Sequence, residues 1–341
     1  MTLEKPLVIH LNPVRFAHNS WEELKNIAEV ILIDNYSREE FITDLHGKYS
    51  NVVAIGRGYL TGHKVGLFDE ELVSHFPKTL KYISHQGAGY DQCHIKPITD
   101  KGIQVSNCPN VISKSTADTN LFLLLGAMRN FDEGRRRLLN GEWPKGGFGA
   151  GAKVGLNPKS KILGIVGMGS IGRAFRDRCE SLGFKKIIYY NRKKLPAKEE
   201  GTSEYVSSIE KLITISDVIS INCPLNQSTH HLIDDSMIRL MKDGVIIINT
   251  ARGEIIDEKS MINSLKNGKI GAVGLDVFEN EPHVSEELLS LPNVVALPHM
   301  GTHAMQTILE MEELVVENIR SGLTTGNVLN RIPEQRSIAF G

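Results

Sequence analysis

The sequence predicts an α/β protein of two domains, each built on a parallel sheet. At 341 residues the chain exceeds a typical single domain. Short apolar runs alternate with amphipathic helical stretches from the start, the pattern of βα units. The later runs are apolar almost without interruption, as strands buried on both faces are.

In chain order, LVIHL (Leu7 to Leu11), VILI (Val30 to Ile33), VVAI (Val52 to Ile55) and LKYIS (Leu80 to Ser84) are expected strands. The segments WEELKNIAEV and FDEELVSHF between them space apolar residues as helices do. Cys108-Pro109-Asn110 reads as a hinge, because proline biases its predecessor away from helix. A second series follows: an apolar helix around Leu121 to Ala127, then strands in KILGIVG, KKIIYYN, SDVISINC, GVIIINT and GAVGLDV. The glycine-rich stretch from Gly141 to Pro158 is too long for an ordinary connection and is expected to be a functional or interface loop. Arg135-Arg136-Arg137, just before it, is expected to form a solvated face or a subunit contact.

With 39 basic and 40 acidic residues the formal net charge is -1, so no overall field favours nucleic acid or an anionic membrane. Cys93, Cys108, Cys179 and Cys223 are widely spaced, without a metal-ligand rhythm, which fits reduced core thiols. The apolar run in MTLEKPLVIHLNP is too short for a signal peptide or a span, and the expected location is the cytoplasm.

The strongest local motif is Gly167-Met168-Gly169-Ser170-Ile171-Gly172, between the apolar strand Lys161 to Val166 and a helical stretch reaching Leu182. Gly167 permits a tight turn, Gly169 lets the backbone approach a pyrophosphate, and Gly172 lets helix and strand pack closely. The helix start then faces the diphosphate with open N–H groups. About 20 residues beyond, where an acid would bind the ribose 2'-hydroxyl of NAD, the chain reads Asn191-Arg192-Lys193-Lys194. An acid would repel a 2'-phosphate, whereas Arg192 and Lys193 can bond it. NADP(H) is therefore expected over NAD(H).

Three further strands each end in a polar residue, where open α/β sheets bind ligands. Arg252 follows one in IIINTARGEIID, Asp276 and Glu281 follow the next in GLDVFENEP, and His299 follows the last in NVVALPHMGTH. With the glycine loop, these motifs occur in the order and spacing of the D-isomer-specific 2-hydroxyacid dehydrogenases, which the chain resembles from about residue 50 to 320.

Two Rossmann-like or flavodoxin-like domains with the active site in the cleft between them are what the resemblance implies. Residues 1–110 and 303–341 would form the substrate domain and 111–302 the cofactor domain, in a homodimer joined through the latter. Reduction of a 2-keto acid needs a hydride at the carbonyl carbon, a proton at its oxygen and a fixed carboxylate. By resemblance His299 supplies the proton, and Glu281 bonds the imidazole so that its protonated form persists near neutral pH. Arg252 would bind the carboxylate and polarise the carbonyl. Asp276 would orient the nicotinamide carboxamide, with Thr116, Cys223, Pro224 and Thr250 along the cofactor. In His85-Gln86-Gly87-Ala88-Gly89-Tyr90-Asp91, the N–H groups of Ala88 and Gly89 would converge on the substrate carboxylate. Arg57, Gly58, Tyr59 and Leu60 are expected to wall the substrate side-chain pocket.

Thr302-His303 departs from the family pattern and sets a second imidazole one helical turn from His299. No third ligand lies near it in sequence, so no metal is expected. Glyoxylate and hydroxypyruvate are the favoured substrates, with a branched or aromatic 2-keto acid as the alternative. A dinucleotide-sensing protein like the C-terminal-binding-protein corepressors is the rival from another class. The chain lacks the disordered extension and basic run expected there. Formate dehydrogenases pair their histidine with glutamine, where this chain has Glu281. Phosphoglycerate dehydrogenases often add a C-terminal regulatory domain.

Overall fold

The computed structural model describes residues 4–34, 36–58, 61–143 and 151–340, and divides into two units. One comprises Met1–Ile112 and His303–Gly341, the other Ser113–Thr302. Tyr59, Leu60 and residues 144–150 of the glycine-rich stretch lie outside the described residues.

The first unit carries the parallel strands β1 (Leu7–His10), β2 (Glu29–Leu32), β3 (Val52–Arg57), β4 (Tyr82–His85) and β5 (Gln104–Ser106). Their order is β2-β1-β3-β4-β5, which reverses direction between β1 and β3. Strand carboxyl ends open a crevice at such a switch point. The long helix Met305–Thr325 belongs to this unit and packs against β3 and β4. On it, Glu312 is buried and accepts the N–H groups of Arg15 (2.9 Å), Phe16 (2.9 Å) and Ala17 (2.8 Å). These are the last residues before the helix His18–Leu24. A carboxylate beside an otherwise uncapped helix start satisfies orphan donors and complements the helix dipole.

The second unit holds β6 (Ile162–Val166), β7 (Lys186–Tyr190), β8 (Glu204–Tyr205), β9 (Val218–Ile221), β10 (Val245–Asn249), β11 (Ile270–Leu275) and β12 (Val294–Ala296). They are parallel, in the order β12-β11-β10-β9-β6-β7-β8, a Rossmann arrangement with its switch point between β6 and β9. Alternate residues of one strand enter different cores. Ile246 and Ile248 pack with Leu163, Ile165 and the helix Ser113–Arg129, while Val245 and Ile247 pack with Ile219, Val273 and Leu275. Both faces are covered, which is why these strands read as unbroken apolar runs.

The arginine triplet lies on the helix Phe131–Leu139, where Arg136 pairs with Asp132 and Glu133, and Arg137 with Glu133 at 2.6 Å. Much of its positive charge is offset within one helix. The segment from His299 to His303 is not helical, and His299 itself has φ +52°. The spacing of these two histidines therefore does not stack them one turn apart, as the sequence suggested. No helix of the described residues is long and apolar enough to cross a membrane.

Candidate active site

β6 ends at Val166, and an eleven-residue helix begins at Ser170 after a turn through Gly167. Gly167 has φ +94°, and a Cβ there would lie 2.6 Å from the Cys223 amide nitrogen. Both the backbone angle and the close approach demand glycine. At Gly172 a Cβ would collide with the Gly167 carbonyl oxygen, so this position is set by helix packing. Gly169 differs, because a Cβ there would meet no atom within 4 Å. The space above it adjoins a helix start at Ser170 and Ile171 that no side chain caps. Open N–H groups beside an unfilled cradle fit a dinucleotide diphosphate. The Met168 N–H donates to Asn191 Oδ1 at 2.7 Å, so the end of β7 braces the loop.

After Asn191 come Arg192 and Lys193, both exposed, and among the described residues neither forms an ion pair. Lys194 pairs with Glu200 at 3.3 Å. Cys223 and Pro224 follow β9, Cys223 with its amide against Gly167. Thr250 follows β10 and is buried, its Oγ1 without a hydrogen-bond partner among the described residues.

Beyond β12, His299 Nδ1 lies 2.7 Å from Glu281 Oε2. A carboxylate accepts, so Nδ1 carries the proton of this bond. Glu281 Oε1 accepts the Phe278 N–H at 3.0 Å, which fixes the carboxylate from its own loop. Burial pushes the Glu281 carboxyl up, but the bond and charge of His299, the Phe278 N–H and Arg252 together hold it below the usual range.

Asp276, at the end of β11, is buried and accepts the Met300 N–H (2.6 Å) on one oxygen and the Gly301 N–H (2.7 Å) on the other. The Gly301 carbonyl in turn accepts from Ser115 Oγ (2.9 Å) and Thr116 Oγ1 (3.3 Å). Asp276 and the helix Ser113–Arg129 thus clasp the turn that carries His299. Burial pushes the Asp276 carboxyl up to about 6, against the opposing pull of Met300, His299 and Gly301.

Arg252 is half-buried at the start of a short 3-10 turn after β10. Asn249 shapes its approach: Oδ1 accepts the Ala251 N–H at 2.9 Å, and Nδ2 donates to the Arg252 carbonyl at 2.8 Å. Sequence reading missed Asn249. An asparagine closing an apolar strand is a turn-former, which was the available signal. Gly253 lies against the Phe278 peptide so closely that a Cβ would overlap it, which ties the arginine turn to the glutamate loop.

In the first unit, the Gly87 carbonyl after β4 accepts the Cys108 N–H, and the Ala88 carbonyl accepts Asn107 Nδ2, each at 2.8 Å. The N–H groups of Ala88 and Gly89 donate to no atom of the described residues. Arg57 does not wall a pocket as expected. It is wholly buried, with its guanidinium bonded inside the unit, so the cation at the end of β3 is part of the interior. His303 is exposed.

The Rossmann sheet, the glycine turn and the histidine–glutamate pair define an NAD(P)-dependent oxidoreductase. Residues 121–301 match the family model described as D-isomer specific 2-hydroxyacid dehydrogenase, NAD binding domain. The chain is 47% identical over 335 residues to glyoxylate reductase 1 of Saccharomyces cerevisiae, covering 97% of this chain and 95% of that one. It is 41% identical over 334 residues to 4-methyl-2-oxopentanoate reductase A of Aspergillus oryzae, covering 98% and 99%. The crystal structure of a glyoxylate reductase from Paecilomyes thermophila matches with a TM-score of 0.93 at 40% identity, covering 97% and 99%. The chain belongs to the D-isomer-specific 2-hydroxyacid dehydrogenases. It is accordingly an NAD(P)-dependent enzyme that acts between 2-keto acids and D-2-hydroxy acids.

Proposed function

We propose that the protein is an NADPH-preferring reductase of small 2-keto acids, with glyoxylate and hydroxypyruvate favoured. The bond between His299 and Glu281 carries this reading, because it leaves the imidazole Nε2 as the nitrogen that passes a proton to the substrate oxygen. Glu281 holds the ring and balances its charge. Arg252 clasps the substrate carboxylate through its planar fork, and the N–H groups of Ala88 and Gly89 bond the same carboxylate. Gly167, Gly169, Ser170, Ile171 and Gly172 would hold the cofactor diphosphate, with Thr116, Cys223, Pro224, Thr250 and Asp276 along the nicotinamide half. The cofactor supplies the hydride. Asn191, Arg192 and Lys193 would hold the adenine ribose, and two exposed cations that form no ion pair among the described residues favour a 2'-phosphate. We assign residues 1–110 and 303–341 to substrate binding and 111–302 to cofactor binding.

The names of the relatives support two sizes of substrate, glyoxylate and the branched 4-methyl-2-oxopentanoate. A homodimer is supported by the exposed apolar residues Phe131, Leu138, Leu139 and Trp143 on and beyond one helix, with Val154 and Leu156 on the glycine-rich stretch. Light scattering of the purified protein tests that assembly.

The deciding assay follows oxidation of NADPH and NADH with glyoxylate, hydroxypyruvate, 4-methyl-2-oxopentanoate and phenylglyoxylate in parallel. Turnover of glyoxylate with NADPH at the highest kcat/KM supports the proposal. Preference for a larger acid moves the substrate, and tight cofactor binding with no turnover moves the protein to the dinucleotide-sensing class.

A further inference from the structure

Arg57 is a whole guanidinium inside the first unit, on a strand end where a charged side chain would ordinarily point to water. Its Nη1 donates to Gln92 Oε1 at 2.7 Å and to His85 Nδ1 at 3.3 Å. Its Nη2 donates to the Gly66 carbonyl at 3.3 Å, and its guanidinium carbon lies 5.0 Å from the centre of the Phe68 ring. Arginine stays charged when buried and can only donate. His85 Nδ1 must therefore accept, and departure of Gln92 or His85 would take one of few acceptors from a buried cation, a costly change.

His85 ends β4, and Gln92 stands seven residues later, so one side chain holds the two ends of the loop that carries Ala88 and Gly89. The bonds from Cys108 and Asn107 to the Gly87 and Ala88 carbonyls pin the middle of that loop from the side of β5. With its ends and the Gly87 and Ala88 carbonyls tied, the loop holds the Ala88 and Gly89 N–H groups in a fixed orientation. A preorganised pair of donors binds a carboxylate without an ordering cost at the moment of contact.

We propose that Arg57 is a positioning residue for the reaction, clamping His85 and Gln92 so that the Ala88 and Gly89 N–H groups stay set for the substrate carboxylate. This rests on the assignment of that loop to the carboxylate. Loosening the clamp should weaken substrate capture and leave cofactor binding and the chemical step alone.

The test is steady-state kinetics of the full-length enzyme with glyoxylate and NADPH, together with binding of oxalate to the NADPH complex, for Gln92→Ala, Gln92→Glu, Arg57→Lys and Gly89→Pro. We expect Gln92→Ala and Arg57→Lys to raise the KM for glyoxylate and the Kd for oxalate roughly tenfold, the loss of one hydrogen bond to a charged group. The value of kcat and the KM for NADPH should not move. Gln92→Glu, which returns an acceptor to Arg57, should restore both constants. If Gly89→Pro weakens substrate while the clamp variants do not, the loop assignment stands and the clamp is refuted. If Gly89→Pro changes neither constant, the loop assignment falls and the clamp with it. A parallel loss for NADPH, or no rescue by Gln92→Glu, would make Arg57 a general structural residue and overturn the proposal. Should Arg57→Lys fail to fold, the two Gln92 variants decide alone.

Discussion

His299 Nδ1 and Glu281 Oε2 lie 2.7 Å apart, and each partner is fixed by backbone: the His299 N–H donates to the Asp276 carbonyl, and Glu281 accepts the Phe278 N–H. Glu281→Gln keeps the shape and removes the negative charge. Reduction at neutral pH should fall roughly 10- to 100-fold. An unchanged kcat/KM at neutral pH would remove Glu281 from the mechanism.

Two glycines of one loop should answer to different assays. Gly169→Ala adds a methyl where no protein atom waits, so thermal stability should hold while cofactor affinity drops. Gly167→Ala meets both a positive φ and the Cys223 amide, and should cost about 1–3 kcal/mol, read as a fall in melting temperature. Equal melting temperatures for the two variants would contradict the geometry.

Replacing Arg192 and Lys193 by serine should raise the KM for NADPH at least tenfold, as loss of charge-assisted bonds does, and leave that for NADH nearly unchanged. Equal losses with both cofactors would rule out the 2'-phosphate assignment.

Asp276 has a carboxyl raised from 3.8 to about 6 by burial. For an acid raised on folding, stability is fully present below the unfolded value and is lost as pH climbs through the folded one. Asp276→Asn removes that loss. Its stability relative to the parent should therefore rise between about pH 4 and pH 7, by on the order of 2 kcal/mol. Urea titrations at several pH values measure it, and a difference that stays flat or falls across this window would show the carboxyl is not raised.

Much of the site was legible because its chemistry-bearing residues directly follow apolar strands. The glycine turn, Arg252, Asp276 and His299 sit at or just beyond such ends, and Glu281 follows in the loop after β11. What escaped was set by partners distant in sequence. Arg57 reads as a wall of the substrate pocket until Gln92 and His85 supply its acceptors. Glu312 sits on an amphipathic helix and reads as solvent-facing, yet its acceptor role lies nearly 300 residues away. β5 is only Gln-Val-Ser and offers no apolar run to see.

The bond from Glu312 to residues 15–17 sets a timetable for biosynthesis. At about 5 to 20 residues per second, those residues leave the ribosome roughly 15 to 60 s before Glu312 is made. Through that interval β3 and β4 lack the helix that covers them, while Ser113–Thr302 is continuous and can close as soon as it emerges. The nascent chain thus finishes its middle before its beginning. Its first sheet keeps the apolar surface beneath that helix uncovered until the final helix arrives.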